Sequence, residues 1–237
     1  MDLVFWTRRT ASFLLIGVFI LSSALPQGNA KQPSPGLDGI GVDTTCGTHS
    51  SYPENGEDCS AQFLNTTRAN DVIIVIVRHL AVSIIDSSGL TYNLRIFGAG
   101  ISEYYAVART PLRMDNVTVI LPHCCALGFQ VFAIQGANTE VIFDARPVFP
   151  VIVSNCGYSI SFGPCSASIE VATHDLVIAS AQLNDAGCKS LVSQGFTGVA
   201  GNGFLDVEYR IIGHIQHDIS FTCPSEAVGM VLDAVSI

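Results

Sequence analysis

The chain has 237 residues, a formal net charge of -9, 49% hydrophobic residues and only 13% charged ones. A chain this acidic, without a Lys/Arg cluster, lacks the cationic surface that neutralises phosphates, which argues against nucleic acid and anionic lipid as partners. Its apolar content argues equally against disorder, because such a chain can bury enough surface to offset its conformational entropy.

Residues 1–30 read as a secretory signal peptide: Arg8 and Arg9, an apolar stretch from Ala11 to Leu25, Pro26, and small residues ending at Ala30. The apolar stretch is shorter than the roughly twenty residues that span a bilayer as a helix. Cleavage after Ala30 is expected, with an uncleaved anchor as the alternative. Either way the remainder is secreted or held at the cell surface, and after cleavage no membrane contact is expected.

Residues 31–60 are rich in Gly, Pro, Asp, Ser and Thr and carry no sustained periodicity, so they read as a loop-rich N-terminal arm. All eight cysteines lie beyond the signal, an even count in a compartment where disulfides persist. Eight cysteines allow about a hundred connectivities. Only two short-range pairs suggest themselves: Cys46 with Cys59, tethering the arm, and Cys156 with Cys165. Cys124 and Cys125 are neighbours and more naturally reach different partners, with Cys188 and Cys223 as candidates. His123 beside them does not supply the spaced thiols of a structural zinc site, so no metal is expected. Residues 31–45 are then a leader free to pair with a neighbouring copy.

From residue 61 onwards a single β-sandwich domain is expected. Val72-Ile-Ile-Val-Ile-Val77 is continuously apolar and β-branched, as in a strand covered on both faces. Val82–Ile85, the turn Asp86-Ser-Ser-Gly89 and the alternating Thr91–Phe97 suggest a hairpin. Further strands are expected at 103–109, 116–121, 129–134, 140–143, 176–181, 204–212, 217–221 and 228–237. This rhythm predicts an all-β, antiparallel, jelly-roll-like sandwich with a disulfide-tethered N-terminal arm. Residues 144–168 and 184–203 read as the longest loops, with at most a helical turn near 185–193. Asn70-Asp71 before Val72 and His174-Asp175 before Leu176 echo one another, read as two strands that begin alike.

Asn65-Thr66-Thr67 and Asn116-Val117-Thr118 are N-glycosylation acceptors, Asn65 being the better placed. No G-x-S-x-G elbow or dense acidic calcium loop is present, so no catalytic residue and no cofactor is expected; calcium stays open as an alternative without a dedicated site. His174-Asp175 and His217-Asp218 place adjacent side chains on opposite faces of a strand, which argues against catalytic pairing. Glu103, Asp206 and Glu208 could serve a glycoside hydrolase, but Asp206 and Glu208 alternate with Leu205, Val207 and Tyr209 as on a solvent-facing strand. Tyr104 and Tyr158 are the aromatics best placed to stack on a sugar, and of Tyr104 and Tyr105 one must face the core.

The runs Asp71-Val-Ile-Ile-Val-Ile-Val, Asp86-Ser-Ser-Gly-Leu-Thr-Tyr, Glu103-Tyr-Tyr-Ala-Val-Ala, Val131-Phe-Ala-Ile-Gln-Gly-Ala-Asn and Gly229-Met-Val-Leu-Asp-Ala-Val resemble a group of poorly characterised secreted β-sandwich proteins of microbial, particularly archaeal, surfaces. The resemblance implies a fold and a surface location and no activity. The expected function is therefore an extracellular, non-enzymatic structural or adhesive protein, partnered by itself in an oligomer or filament. The alternative is a carbohydrate-binding module whose partners are extracellular glycans, and a secreted hydrolase comes third.

Overall fold

The structure is a computed structural model that describes residues 34–44, 57–122, 128–146, 148–154, 156, 165–171, 174–183, 195–202, 205–213, 216–223 and 227–237. The described residues lie in one compact unit, Pro33–Ile237. They contain strands and no helix. In chain order the strands are β1 (Gly36–Ile40), β2 (Val42–Thr44), β3 (Glu57–Leu64), β4 (Asp71–Arg78), β5 (Ser83–Ile85), β6 (Asn93–Gly98), β7 (Ile101–Ala108) and β8 (Asp115–Pro122). There follow β9 (Phe129–Gln135), β10 (Val151–Ser154), β11 (Cys165–Val171), β12 (Asp175–Leu183), β13 (Thr197–Asn202), β14 (Leu205–Ile212), β15 (Gln216–Cys223) and β16 (Ala227–Ser236).

The strands form four antiparallel sheets: β1-β9-β4-β7-β6, β10-β16-β12-β14-β13, β2-β3-β8-β5 and β11-β15. Side-chain alternation stacks them in four layers. On β4, Ile73, Val75 and Val77 pack with Val117, Val119 and Leu121 of β8, while Val72, Ile74 and Ile76 pack with Leu176 and Ile178 of β12. The opposite face of β12, with Val177, Ala179, Ala181 and Leu183, meets Ala167, Ile169 and Val171 of β11. The two five-stranded sheets are thus inner layers packed on each other, and each is covered outside by a smaller sheet. This explains the continuous apolar run of β4: with a core on either side, neither face can be polar. It also makes the expected antiparallel sandwich two sandwiches sharing a central core.

The two halves repeat one topology. Reading each inner sheet across gives first, last, second, fourth and third strand in chain order, both for β1-β9-β4-β7-β6 and for β10-β16-β12-β14-β13. The outer pairs β3–β8 and β11–β15 occupy matching chain positions. The junctions match at atomic level: Asn70 and His174 both take positive φ, 63° and 67°. Their N–H groups donate to the carbonyls of Ala108 and Ile212, at 2.7 and 3.0 Å. A non-glycine residue adopts this conformation at a cost, so its recurrence is specific. The faint echo of Asn70-Asp71 in His174-Asp175 is therefore the surface mark of an internal structural repeat.

Several sequence expectations are corrected. Residues 36–44 are not a free leader: β1 pairs with β9 of an inner sheet and β2 with β3 of an outer one, each satisfying a strand edge that would otherwise be open. Glycine makes this possible, since a Cβ at Gly39 would lie 2.1 Å from the Asn65 carbonyl oxygen. The expected β5–β6 hairpin does not form; β5 pairs with β8 and β6 with β7, so Asp86–Gly89 crosses between layers. Residues 140–143 contribute only a bridge from Phe143 to Val235. The expected loop at 144–168 holds β10 and the start of β11, and that at 184–203 holds β13. The helical turn expected near 185–193 lies outside the described residues.

Candidate functional site

Cys156 and Cys165 form the expected disulfide, buried beside the β11 core. Cys59 lies in β3 opposite Ile120, and Cys223 in β15 opposite Cys165. Cys46, Cys124, Cys125 and Cys188 lie outside the described residues, as does Tyr158. Asn65 is exposed, but its amide is engaged: Oδ1 accepts from Met114 N at 2.8 Å. Asn116 is half-buried and its Thr118 is buried.

Tyr104, expected near a ligand surface, is a core residue. Its ring is buried among the β4 and β8 side chains, and its hydroxyl accepts from Ala81 N at 3.1 Å. Tyr105 points the other way and meets Phe143 edge-on, with centroids 5.1 Å apart. Asp206 and Glu208 are not on a wet face. They are 8% and 4% exposed, because β14 is an inner strand whose other face, Leu205 and Val207, lines the central core. Burial, then the neighbouring Glu208, pushes the Asp206 carboxyl up to about 7.

Acidic side chains are also built into the central core. Glu103 on β7 and Asp233 on β16 are buried between the inner sheets. Arg95 of β6 grips Asp233 through Nε to Oδ2 at 2.8 Å and a second nitrogen to Oδ1 at 3.3 Å, with its guanidinium 4.3 Å over the Phe143 ring. Neither Glu103 carboxylate oxygen meets a hydrogen-bond partner among the described residues. Desolvation, reinforced by Asp233, holds Glu103 well above the usual carboxylate range. Alternation on β14 turns Asp206 and Glu208 away from the central core, so of the three acids considered for hydrolysis Glu103 faces a different layer from the other two.

A second acidic feature recurs in both halves. Asp38 of β1 interacts with Asp71, the first residue of β4, and Asp144 interacts with Asp175, the first residue of β12. In the second half Arg146 joins the pair, bonded to Asp144 and 3.4 Å from Asp175. Arg146 also borders an open groove of about 420 Å³ lined by Val148, Val151, Ser168, Ile169 and Glu170. The strand behind it was legible: Ser166, Ser168 and Glu170 alternate with buried Ala167, Ile169 and Val171, a period-2 signal hidden among the prolines and glycines around it. Among the described residues no group of three or more His, Cys, Asp or Glu could hold a metal ion, and no helix is long and apolar enough to cross a membrane.

Apolar side chains are exposed on one edge. Leu94 and Phe97 of the edge strand β6 are 50% and 51% exposed. They oppose Tyr104 and Ser102 of β7. Residues 79–81 cross that same face, with the Ser102 hydroxyl donating to the His79 carbonyl and Ala81 N to the Tyr104 hydroxyl. Leu80 on this segment is likewise exposed, as is Val82 just after it, whose N–H donates to the Ile120 carbonyl of β8. Compared with known families, with characterised proteins and with solved structures, the chain finds no match in any of the three.

Proposed function

We propose that the protein is an extracellular, non-enzymatic structural or adhesive β-sandwich that associates with copies of itself. The observation that carries the reading is the β6 edge, which has no further strand beside it among the described residues and carries the exposed Leu94 and Phe97, with the exposed Leu80 on the segment crossing its sheet. An edge strand offers open N–H and C=O groups, and exposed apolar side chains beside it favour association. The form of this idea in which residues 31–45 donate a strand is replaced, since residues 36–44 are paired within their own chain. Secretion is supported by the signal-like N-terminus and by the buried disulfide.

The test is light scattering with electron microscopy on the purified protein under non-reducing conditions. Regular oligomers or filaments are expected, and Leu94→Lys with Phe97→Glu should dissolve them while leaving circular dichroism unchanged. A compact monomer would sink this reading.

One observation favours a second reading, a carbohydrate-binding module. The groove beside Arg146 sets a guanidinium, the Ser168 hydroxyl and the Glu170 carboxylate above an apolar wall, and its volume falls within the range of ligand sites. A glycan array tests it: binding lost on Glu170→Ala supports the module, and no binding counts against it.

A further inference from the structure

The repeated carboxyl pair differs between the halves in one respect. In the second half a guanidinium is bonded to the pair, whereas in the first half no guanidinium among the described residues is bonded to it. Asp38 is saturated with donors: the Thr67 hydroxyl at 2.5 Å, Thr67 N at 2.6 Å and Arg68 N at 2.9 Å. These bonds outweigh the effect of burial and hold its carboxyl below the usual range. Asp71 is 1% exposed, and its Oδ2 has no hydrogen-bond partner among the described residues. The groups facing Asp71 are Asp38 from β1 and Thr66 and Arg68 from the β3–β4 connection. Its register partner on β7 is Ala108, followed by the exposed Arg109, and β9 ends there at the uncharged Gln135. Arg68 is exposed and acts only at a distance.

We propose that the Asp38–Asp71 pair is a proton-operated latch on β1, closed while Asp71 carries its proton and donates it to Asp38, and opened when that proton is lost to solvent. Two ionised carboxylates in contact, one of them buried without a partner, repel. Asp38 sits at the bulge between Leu37 and Gly39, where β1 presses on the β3–β4 connection. Repulsion there acts on the edge strand of an inner sheet, whose ties include its short ladder to β9, the bond from Gly41 N to the Val131 carbonyl and the packing of Leu37 on the central core. Burial and Asp38 push the Asp71 carboxyl up to about 7, so the transition falls near neutral pH. In the second half the Arg146 guanidinium replaces the proton and holds Asp144 ionised. The latch does not depend on self-association. If copies do associate, opening it uncovers the β9 edge to a second chain.

Amide hydrogen exchange on the whole protein at pH 6 and pH 8.5, corrected for intrinsic rates, tests this. Amides of β1 and the Gly41 N–H should lose protection at least tenfold at the higher pH while those of β12 and β16 do not, and Asp71→Asn should remove the loss. Equal protection at both pH values in the natural sequence, or a loss that persists in Asp71→Asn, overturns the latch. Carboxyl-carbon NMR of the natural sequence gives a check independent of any variant: Asp71 should titrate near neutrality in step with β1, and a midpoint in the ordinary carboxylate range overturns it. Recovery of β1 at pH 8.5 on adding millimolar calcium overturns it in favour of a cation-held pair.

Discussion

Arg95 is the cation that holds a buried carboxylate within the central core. It compensates Asp233, which is fully buried and close enough to Glu103 for the two charges to interact. Arg95→Ala leaves a buried charge unpaired, at a cost of about 3–5 kcal/mol. Denaturant unfolding should recover much of that loss in the Arg95→Ala/Asp233→Asn double variant. Asp206 yields a pH-dependent prediction at the same scale. Its folded pKa of about 7 lies above the ordinary carboxylate value of 3.8, so the stability linked to its proton is complete below 3.8 and is lost progressively as pH climbs from there through 7. Asp206→Asn should therefore melt with the natural sequence below the unfolded carboxylate value of 3.8, and increasingly above it as pH rises, with the full gain above 7. The gain is bounded at about 4 kcal/mol, from roughly 1.4 kcal/mol per unit of pKa.

At the scale of single elements, β11 is an outer strand stapled at its start by Cys156–Cys165, nine residues apart. Closing so short a loop contributes about 2–3 kcal/mol, and the Cys156→Ser/Cys165→Ser protein should show that loss in its denaturant midpoint. The staple was readable in the sequence because it spans a short, turn-rich stretch; partners distant in sequence leave no such trace. The same division runs through the strands. β4, β9, β12 and β16 were legible because inner strands with two largely apolar faces form long apolar runs, β14 because its apolar and polar residues alternate, and β7 because aromatic and apolar residues fill most of it. The outer and edge strands β1, β2, β10 and β13 were not, because short strands with glycines and one wet face resemble loops. The β5–β6 crossing was missed because a Ser-Ser-Gly turn fits a hairpin and a change of layer equally well. Asp206 and Glu208 misled for a related reason: alternation reports that a strand has two unlike faces, not that either face is wet.

For the whole molecule, the central core makes the two halves one thermodynamic object. Val72, Ile74, Ile76, Phe132 and Ile134 of the first half are buried only because Leu176, Ile178, Leu205, Val207, Val231 and Val235 of the second cover them. Ile74→Ala should cost about 2–5 kcal/mol and shift a single thermal transition, not split it in two. Residues 34–137 expressed alone should aggregate or pair with a second copy through the uncovered face. A soluble, monomeric fragment with native circular dichroism, seen in sedimentation, would contradict this.

The strand order has a consequence for how the chain is made. β16 lies between β10 and β12, and β9 between β1 and β4, so each inner sheet keeps a gap one strand wide until its latest-made member arrives. Neither half can close strand by strand as it is synthesised, and such long-range pairing is slow. While β16 is awaited, the apolar faces on both sides of that gap stay wet. The interval between the synthesis of β12 and that of β16 is thus when aggregation threatens this protein most, and when a holding chaperone would have most to do.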